Sequence, residues 1–251
     1  MSDAAAAPRL VDLSASAILL DVDGTVLDIA ATPYAVTAPD ELKRVLTRLS
    51  NATAGALAFV SGRPIADLDR IFAPLKLPSV GGHGAEVRLS DGSIMRFANA
   101  IMPELANRLA QIADAHTGAL VEDKGDGIAI HYRLAHELGP EIVAEVKRIC
   151  AEFPESGVEL LPGKYVIEVK RAAFDKGTGV RALMAHAPFA GRKPIFIGDD
   201  VTDEPCFEVV HDYGGVGLSV GRIMTGALGI FDRPADVRRW LSRIAGEADP
   251  S

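Results

Sequence analysis

The stretch Ile18-Leu19-Leu20-Asp21-Val22-Asp23-Gly24-Thr25 constrains the fold of this chain more than any other. Its apolar start reads as the end of a buried strand. Asp21 and Asp23 follow, so the strand delivers two carboxylates to the rim of a sheet. In open α/β sheets that rim is where ligands bind. Neighbouring carboxylates repel each other unless protons or a cation relieve them. Oxygen ligands of this kind suit a hard cation such as Mg²⁺. Gly24 lets backbone amides come close to a ligand. An isolated Asp-Gly reads as an ordinary turn, so the rest of the chain decides.

The same pattern recurs. Ala56 to Val60 is a second buried strand, running into Ser61-Gly62-Arg63 and a helix that opens at Pro64. A hydroxyl, a glycine and a base before a helix N-terminus form a natural anion site, although Ser-Gly alone is more often a capping turn. Pro78 to Val87 is a third short strand, bending through Gly81-Gly82-His83-Gly84 toward Glu86. Arg88 to Phe97 alternates around Asp91-Gly92, a hairpin signal. Pro194 to Gly198 is another strand, and it ends in Asp199 and Asp200. Gly215 to Gly221 reads as the last strand, without dinucleotide-binding spacing. Amphipathic helices intervene at 39–50, after Pro64, through Ala185, after Glu204 and at 236–244. The fold class is therefore α/β, a doubly wound parallel-sheet core of Rossmann-like type.

Between Ala98 and Arg171 the pattern changes to helix, two strands, helix, two strands. This reads as an inserted α+β domain and approximates a duplicated helix-hairpin repeat. Its hairpins centre on Gly125-Asp126-Gly127 and on Pro162-Gly163. The core is then 10–97 and 172–246, with the insertion at 98–171 and hinges near 98–101 and 171–174.

Composition narrows the partners. A formal charge of −8 disfavours nucleic acid and anionic membrane surfaces. No apolar run is long enough to span a bilayer; Tyr213 to Phe231 comes nearest but carries Arg222 and six glycines. Met1 to Pro8 lacks the pattern of a secretory signal and reads as a frayed tail. Cys150 and Cys206 form no CxxC pair, which disfavours a thiolate zinc site or redox dithiol and suits a cytoplasmic protein.

Asp21 and Asp23, Ser61, and Asp199 and Asp200 thus end separate strands, and Lys176 precedes a further helix. So many polar endings on one sheet edge would oppose folding unless a metal compensated the acids. In order, Asp21-Val22-Asp23-Gly24-Thr25, Ser61, Lys176 and Gly198 to Asp203 resemble the four motifs of the haloacid dehalogenase-like phosphohydrolases. Within that superfamily the chain is most similar to the trehalose-6-phosphate phosphatase family. That likeness rests on Ser61-Gly62-Arg63, Gly82 to Glu86, Glu122-Asp123-Lys124, His131-Tyr132-Arg133, Gly163 to Glu168 and Gly198 to Glu204.

The resemblance implies a C2-type cap over the core and a hydrolase that converts trehalose 6-phosphate to trehalose and phosphate. It implies that Asp21 attacks phosphorus and forms an aspartyl-phosphate, with Asp23 as acid and then base. Lys176 and Mg²⁺ neutralise the phosphoryl group; Asp21, the Asp23 carbonyl and Asp199 hold the cation, and Asp200 and Asp203 orient that shell, either of them alternatively a direct or water-mediated ligand. Ser61 and the amides near Thr25 hold phosphoryl oxygens. In the cap, Glu122, Lys124, Arg133, Lys164 and Glu168 read the sugar, with Arg63 reaching phosphate or sugar or capping its helix. Without the resemblance, the cap residues read as a charged sheet face with cross-strand ion pairs. His83 and Glu86 brace the domain junction or line the cleft. The expected partner is a small-molecule sugar phosphate, with no nucleic acid and no membrane, and with functional coupling to a trehalose-6-phosphate synthase. Other sugar phosphatases (mannosyl- or glucosyl-phosphoglycerate as substrate), a phosphomutase and a non-catalytic sugar-phosphate sensor are the alternatives; intact Asp21, Asp23, Lys176 and Asp199 speak against the sensor.

Overall fold

The computed structural model of the chain describes residues 11–29, 36–97, 101–124, 127–171 and 174–246. The N-terminal tail, the centre of the first expected cap turn, most of the first expected hinge and the middle of the second lie outside these residues. The chain divides into two compact units, Arg96–Phe174 and the remainder.

The larger unit is built on an eight-stranded sheet. Its central strand, β1 (Ser16–Leu20), is buried along its whole length. Successive side chains of a strand point to opposite faces. Ile18 and Leu20 accordingly join one apolar cluster, and Ala17 and Leu19 the other. The first cluster is completed by helices α1 (Asp40–Ala52), α2 (Ile65–Phe72) and α7 (Pro234–Ile244), through residues such as Leu46, Phe72 and Trp240. The second is completed by α5 (Lys176–Met184) and α6 (Glu204–Asp212), through Val180, Leu183 and Phe207. Helices therefore cover both faces, as a largely parallel sheet requires.

Strands β2 (Leu57–Val60), β3 (Ser79–Gly81), β4 (Glu86–Arg88) and β5 (Ile94–Arg96) extend the sheet on one side of β1. On the other side it is extended by β10 (Lys193–Gly198), β11 (Val216–Val220) and β12 (Gly229–Phe231), whose numbering leaves β6 (Leu120–Asp123), β7 (Gly127–His131), β8 (Val158–Gly163) and β9 (Val166–Arg171) to the smaller unit. The pairings from β3 through to β12 are parallel, and β4 returns antiparallel. The order of winding reverses between β1 and β10. Leu20 is in register with Ile197 on one side and Phe59 on the other, so Asp21, Asp199 and Ser61 all emerge at the same rim, at the switch point of the sheet. One expectation is corrected: β11 is not the last strand. The short β12 has no alternation of its own to show in sequence; its pairing with β11 and the Phe231–Trp240 contact hold it.

The smaller unit contains α3 (Pro103–Ala115), β6 (Leu120–Asp123), β7 (Gly127–His131), α4 (Gly139–Ala151), β8 (Val158–Gly163) and β9 (Val166–Arg171). Its sheet runs β6-β7-β9-β8, antiparallel throughout. The two central strands are the second of each hairpin, as a duplicated helix-hairpin repeat with a pseudo-dyad requires. Ile128, Ile130, Ile167 and Val169 face α3 and α4 through Leu105, Leu109, Ile142 and Val146. Glu122, Ala129 and Glu168 are paired in one row across β6, β7 and β9, on the opposite face. Two further readings are corrected here. The alternation of Ile128 to Arg133 predicts that His131 and Arg133 share a strand face, but β7 ends at His131 and Arg133 opens a short 3₁₀ segment. Gly163 pairs with Val166, so the second hairpin turns on Lys164-Tyr165 and not on Pro162-Gly163.

Candidate active site

Lys176 is the first residue of α5, where the helix dipole disfavours a cation. Two carboxylates hold it there. Its Nζ donates to Asp21 Oδ1 at 2.8 Å and to Asp203 Oδ1 at 2.7 Å, and the side chain is 4% exposed. Burial alone disfavours the Lys176 ammonium, but Asp203 and Asp21 outweigh it and hold its pKa well above the ordinary lysine value.

Asp203 is fully buried and fully engaged. Besides Lys176 it accepts the backbone N–H groups of Asp199 and Asp200, at 2.9 and 3.1 Å. The loop after β10 is thus closed by a reciprocal capping box in which the Asp200 and Asp203 side chains each serve the other's backbone. Asp203 fixes where the Asp199 carboxylate goes. Thr25 Oγ1 also donates to Asp199 Oδ1, at 3.2 Å. Gly24, at φ +85°, passes close beneath the same carboxylate: a Cβ there would stand 2.1 Å from Asp199 Oδ2. No other residue type fits that approach.

Asp21, Asp199 and Asp203 bring carboxylate oxygens within 4.8 Å of one another. Burial, with Asp203 and Asp199 adding to it against Lys176, raises Asp21 well above the usual carboxylate range. Burial and then Asp203 push Asp199 up to about 6. Three acids facing one ammonium leave an excess of negative charge, all of it on hard oxygen donors. Such a set fits a divalent cation of the Mg²⁺ type.

The remaining expected residues of the larger unit make the following contacts. Asp23 is held by a two-pronged contact with Arg63, Nε to Oδ2 at 2.5 Å and the terminal nitrogen to Oδ1 at 2.7 Å. Arg63 therefore meets the acid, an arrangement that its place in Ser61-Gly62-Arg63 did not indicate. Ser61 is buried at the end of β2, its Oγ accepting the Arg63 N–H at 3.1 Å. Glu86 accepts the N–H of Ile65 at 2.7 Å and so caps the start of α2. Gly84 lets the backbone of Asp175 and Lys176 pass: a Cβ there would lie 2.0 Å from the Asp175 carbonyl oxygen. Asp200 is not brought into the acid group; its exposed carboxylate accepts from Val201 N–H and from Arg222. Arg222 escaped the sequence reading because it lies in a glycine-rich loop with no motif around it.

In the smaller unit the polar sheet face carries its own pairs. Lys124 Nζ lies 2.8 Å from Glu168 Oε1, and His131 Nε2 lies 2.9 Å from Glu122 Oε2. Lys164 is exposed in the β8–β9 turn, and the Arg133 guanidinium lies over the Tyr165 ring, 5.7 Å from its centroid.

Comparison with known proteins identifies the family. The family model described as Trehalose-phosphatase matches residues 19–226. A probable trehalose-phosphate phosphatase of Sinorhizobium fredii is 40% identical over 84% of this chain and 79% of its own length. The trehalose-6-phosphate phosphatase of Escherichia coli is 36% identical over 93% of this chain and 88% of its own. Among solved structures, a trehalose-6-phosphate phosphatase related protein superposes with a TM-score of 0.76 at 25% identity, covering 91% of this chain and 96% of that one. The C-terminal domain of C. albicans trehalose-6-phosphate phosphatase shares the fold, with a TM-score of 0.81 at 24% identity over 94% and 93% of the two chains. The chain belongs to the trehalose-phosphatase family.

Proposed function

We propose that this chain hydrolyses trehalose 6-phosphate to trehalose and phosphate, with Mg²⁺ as cofactor. The observation that carries the chemistry is the group of buried Asp21, Lys176 and Asp203 with partly buried Asp199 at the switch point of the sheet. Asp21, Asp199 and Asp203 would hold the cation, with Asp203 also fixing the loop that carries Asp199. When bound, Mg²⁺ supplies positive charge that draws the phosphoryl dianion to a carboxylate.

Asp21 attacks phosphorus; the bond to the sugar oxygen breaks as the Asp21–phosphorus bond forms. Asp23 gives a proton to the departing sugar oxygen, then takes one from the water that attacks the aspartyl-phosphate and returns Asp21 to a carboxylate. Lys176 offsets the charge that builds as two anions meet, and Ser61 orients phosphoryl oxygens. Positioning and charge stabilisation of this kind dominate phosphoryl transfer. Arg63 aims Asp23 through its fork.

In this reading, residues 98–171 are the cap, and Glu122, Lys124, Arg133, Lys164 and Glu168 read the sugar hydroxyls. An uncharged disaccharide is discriminated by fixed donors and acceptors, which reject analogues that leave them unpaired. The reaction belongs in the cytoplasm, downstream of a synthase that makes trehalose 6-phosphate. Phosphate release from a panel of sugar phosphates tests the proposal. Trehalose 6-phosphate should be turned over at least about a hundredfold faster, in kcat/KM, than glucose 6-phosphate or glucosyl-phosphoglycerate. Stronger release from either of those would overturn the substrate assignment.

A further inference from the structure

The β8–β9 hairpin ends in a residue that a turn would not choose. Tyr165 is the second of two turn residues and has φ +63°. A left-handed residue at that position ordinarily is Gly or Asn, because a Cβ is crowded there. A bulky aromatic held in this conformation is a genuine outlier, and such outliers point toward function. The ring does not serve the apolar core either: Tyr165 is 41% exposed, whereas Val169 of the following strand β9 is buried.

The side chain has definite neighbours. The Arg133 guanidinium carbon lies 5.7 Å from the ring centroid. The His136 ring meets it edge-on, 6.2 Å between centroids at 71°. The Tyr165 carbonyl accepts the N–H of Tyr132 at 2.9 Å, tying the hairpin tip to the end of β7 beside Arg133. Arg133 lies outside the strand, in an irregular 3₁₀ segment that includes the non-helical Ala135. Nothing in a sheet ladder fixes its direction. An aromatic face does so by attracting the cation and limiting its rotamers.

We propose that Tyr165 is a positioning residue for substrate specificity: its ring, held on a strained turn, orients the Arg133 guanidinium toward the sugar of the substrate. This rests on the reading that Arg133 meets the sugar. A side chain ordered before binding loses less freedom when the ligand arrives. The backbone strain is the cost of placing a ring where glycine would be more comfortable.

The test uses Tyr165→Asn, which suits the left-handed backbone and lacks the ring, and Tyr165→Phe, which keeps the ring. Tyr165→Asn should raise KM for trehalose 6-phosphate about two- to fivefold, the equivalent of an exposed cation–π contact. It should leave kcat in place and leave the melting temperature unchanged or higher. Tyr165→Phe should restore the parental KM. In an Arg133→Ala background, Tyr165→Asn should have no further effect on KM. If Arg133→Ala raises KM and Tyr165→Asn does not, the positioning role fails while the sugar reading stands. A KM effect of Tyr165→Asn that persists in the Arg133→Ala background also overturns the role. An unchanged KM in Arg133→Ala itself overturns the sugar reading of Arg133, and the inference with it.

Discussion

Asp203 is the residue on which the site's geometry turns. It answers Lys176 with one oxygen and two backbone N–H groups with the other, and it is fully buried. Removing one partner of a buried ion pair leaves the other charge uncompensated, at a cost of about 3–5 kcal/mol. Asp203→Ala should therefore destabilise the fold by an amount in that range (about 3–5 kcal/mol by urea denaturation) and also abolish turnover. A loss under about 1 kcal/mol would show that the carboxylate is not the fixed anchor its contacts describe. Asp21 and Asp199 differ in kind. Each retains a raised affinity for protons, set first by burial, and such perturbed groups gather where chemistry is done.

At the scale of elements, the strands that end in chemistry were legible because they are buried on both faces. A continuous apolar run such as Ile18 to Leu20, broken by an acid, signals both the strand and its rim. Helix faces were legible from their 3.6-residue spacing, as with Leu42, Val45, Leu46 and Leu49 of α1. Three features were not. β12 is too short to show a period and depends on its neighbour β11. Arg133 follows an alternating run whose pairing stops two residues earlier, at His131. Lys164 follows Pro162-Gly163, a stronger local turn signal than the Lys-Tyr that actually turns. Within the site, the Arg63–Asp23 fork joins residues 40 apart in sequence. Only the register of β1 with β2 reveals it.

The polar face of the cap sheet can be read as structural ion pairs or as a sugar site, and the two readings part experimentally. Replacing a partly buried ion pair by apolar residues of similar volume is often neutral or stabilising. The double variant Lys124→Met/Glu168→Leu should therefore keep its melting temperature. If the face reads sugar, the variant should raise KM for trehalose 6-phosphate about tenfold or more, since a site that loses its fixed hydrogen-bonding groups loses discrimination. An unchanged KM in steady-state assays would assign the pair to structure alone.

For the whole molecule, the acid cluster should couple stability to pH and, as the proposed cation site, to metal. Asp199 is raised from 3.8 to about 6 in the fold. A raised carboxyl favours the folded state below its unfolded pKa, and that contribution is lost as pH rises through about 6. A divalent cation needs the ionised carboxylates and binds the fold alone, so it restores stability where protons no longer do. Scanning calorimetry should find that Mg²⁺ raises the melting temperature more at about pH 7.5 than at about pH 5. An equal gain at both, or none, would argue against the cluster as the metal site. No described helix is long and apolar enough to cross a membrane, and the two units are each held by their own apolar cores.

The central claim is that Asp21 carries the phosphoryl group. It is tested most directly by rapid acid quenching during turnover of trehalose 6-phosphate labelled on phosphorus. Protein-bound label should appear in the parent enzyme, recovered on the peptide that contains Asp21, with no label and no phosphate release in a folded Asp21→Asn variant. Label on another residue, or phosphate release by Asp21→Asn at the parental rate, would contradict it.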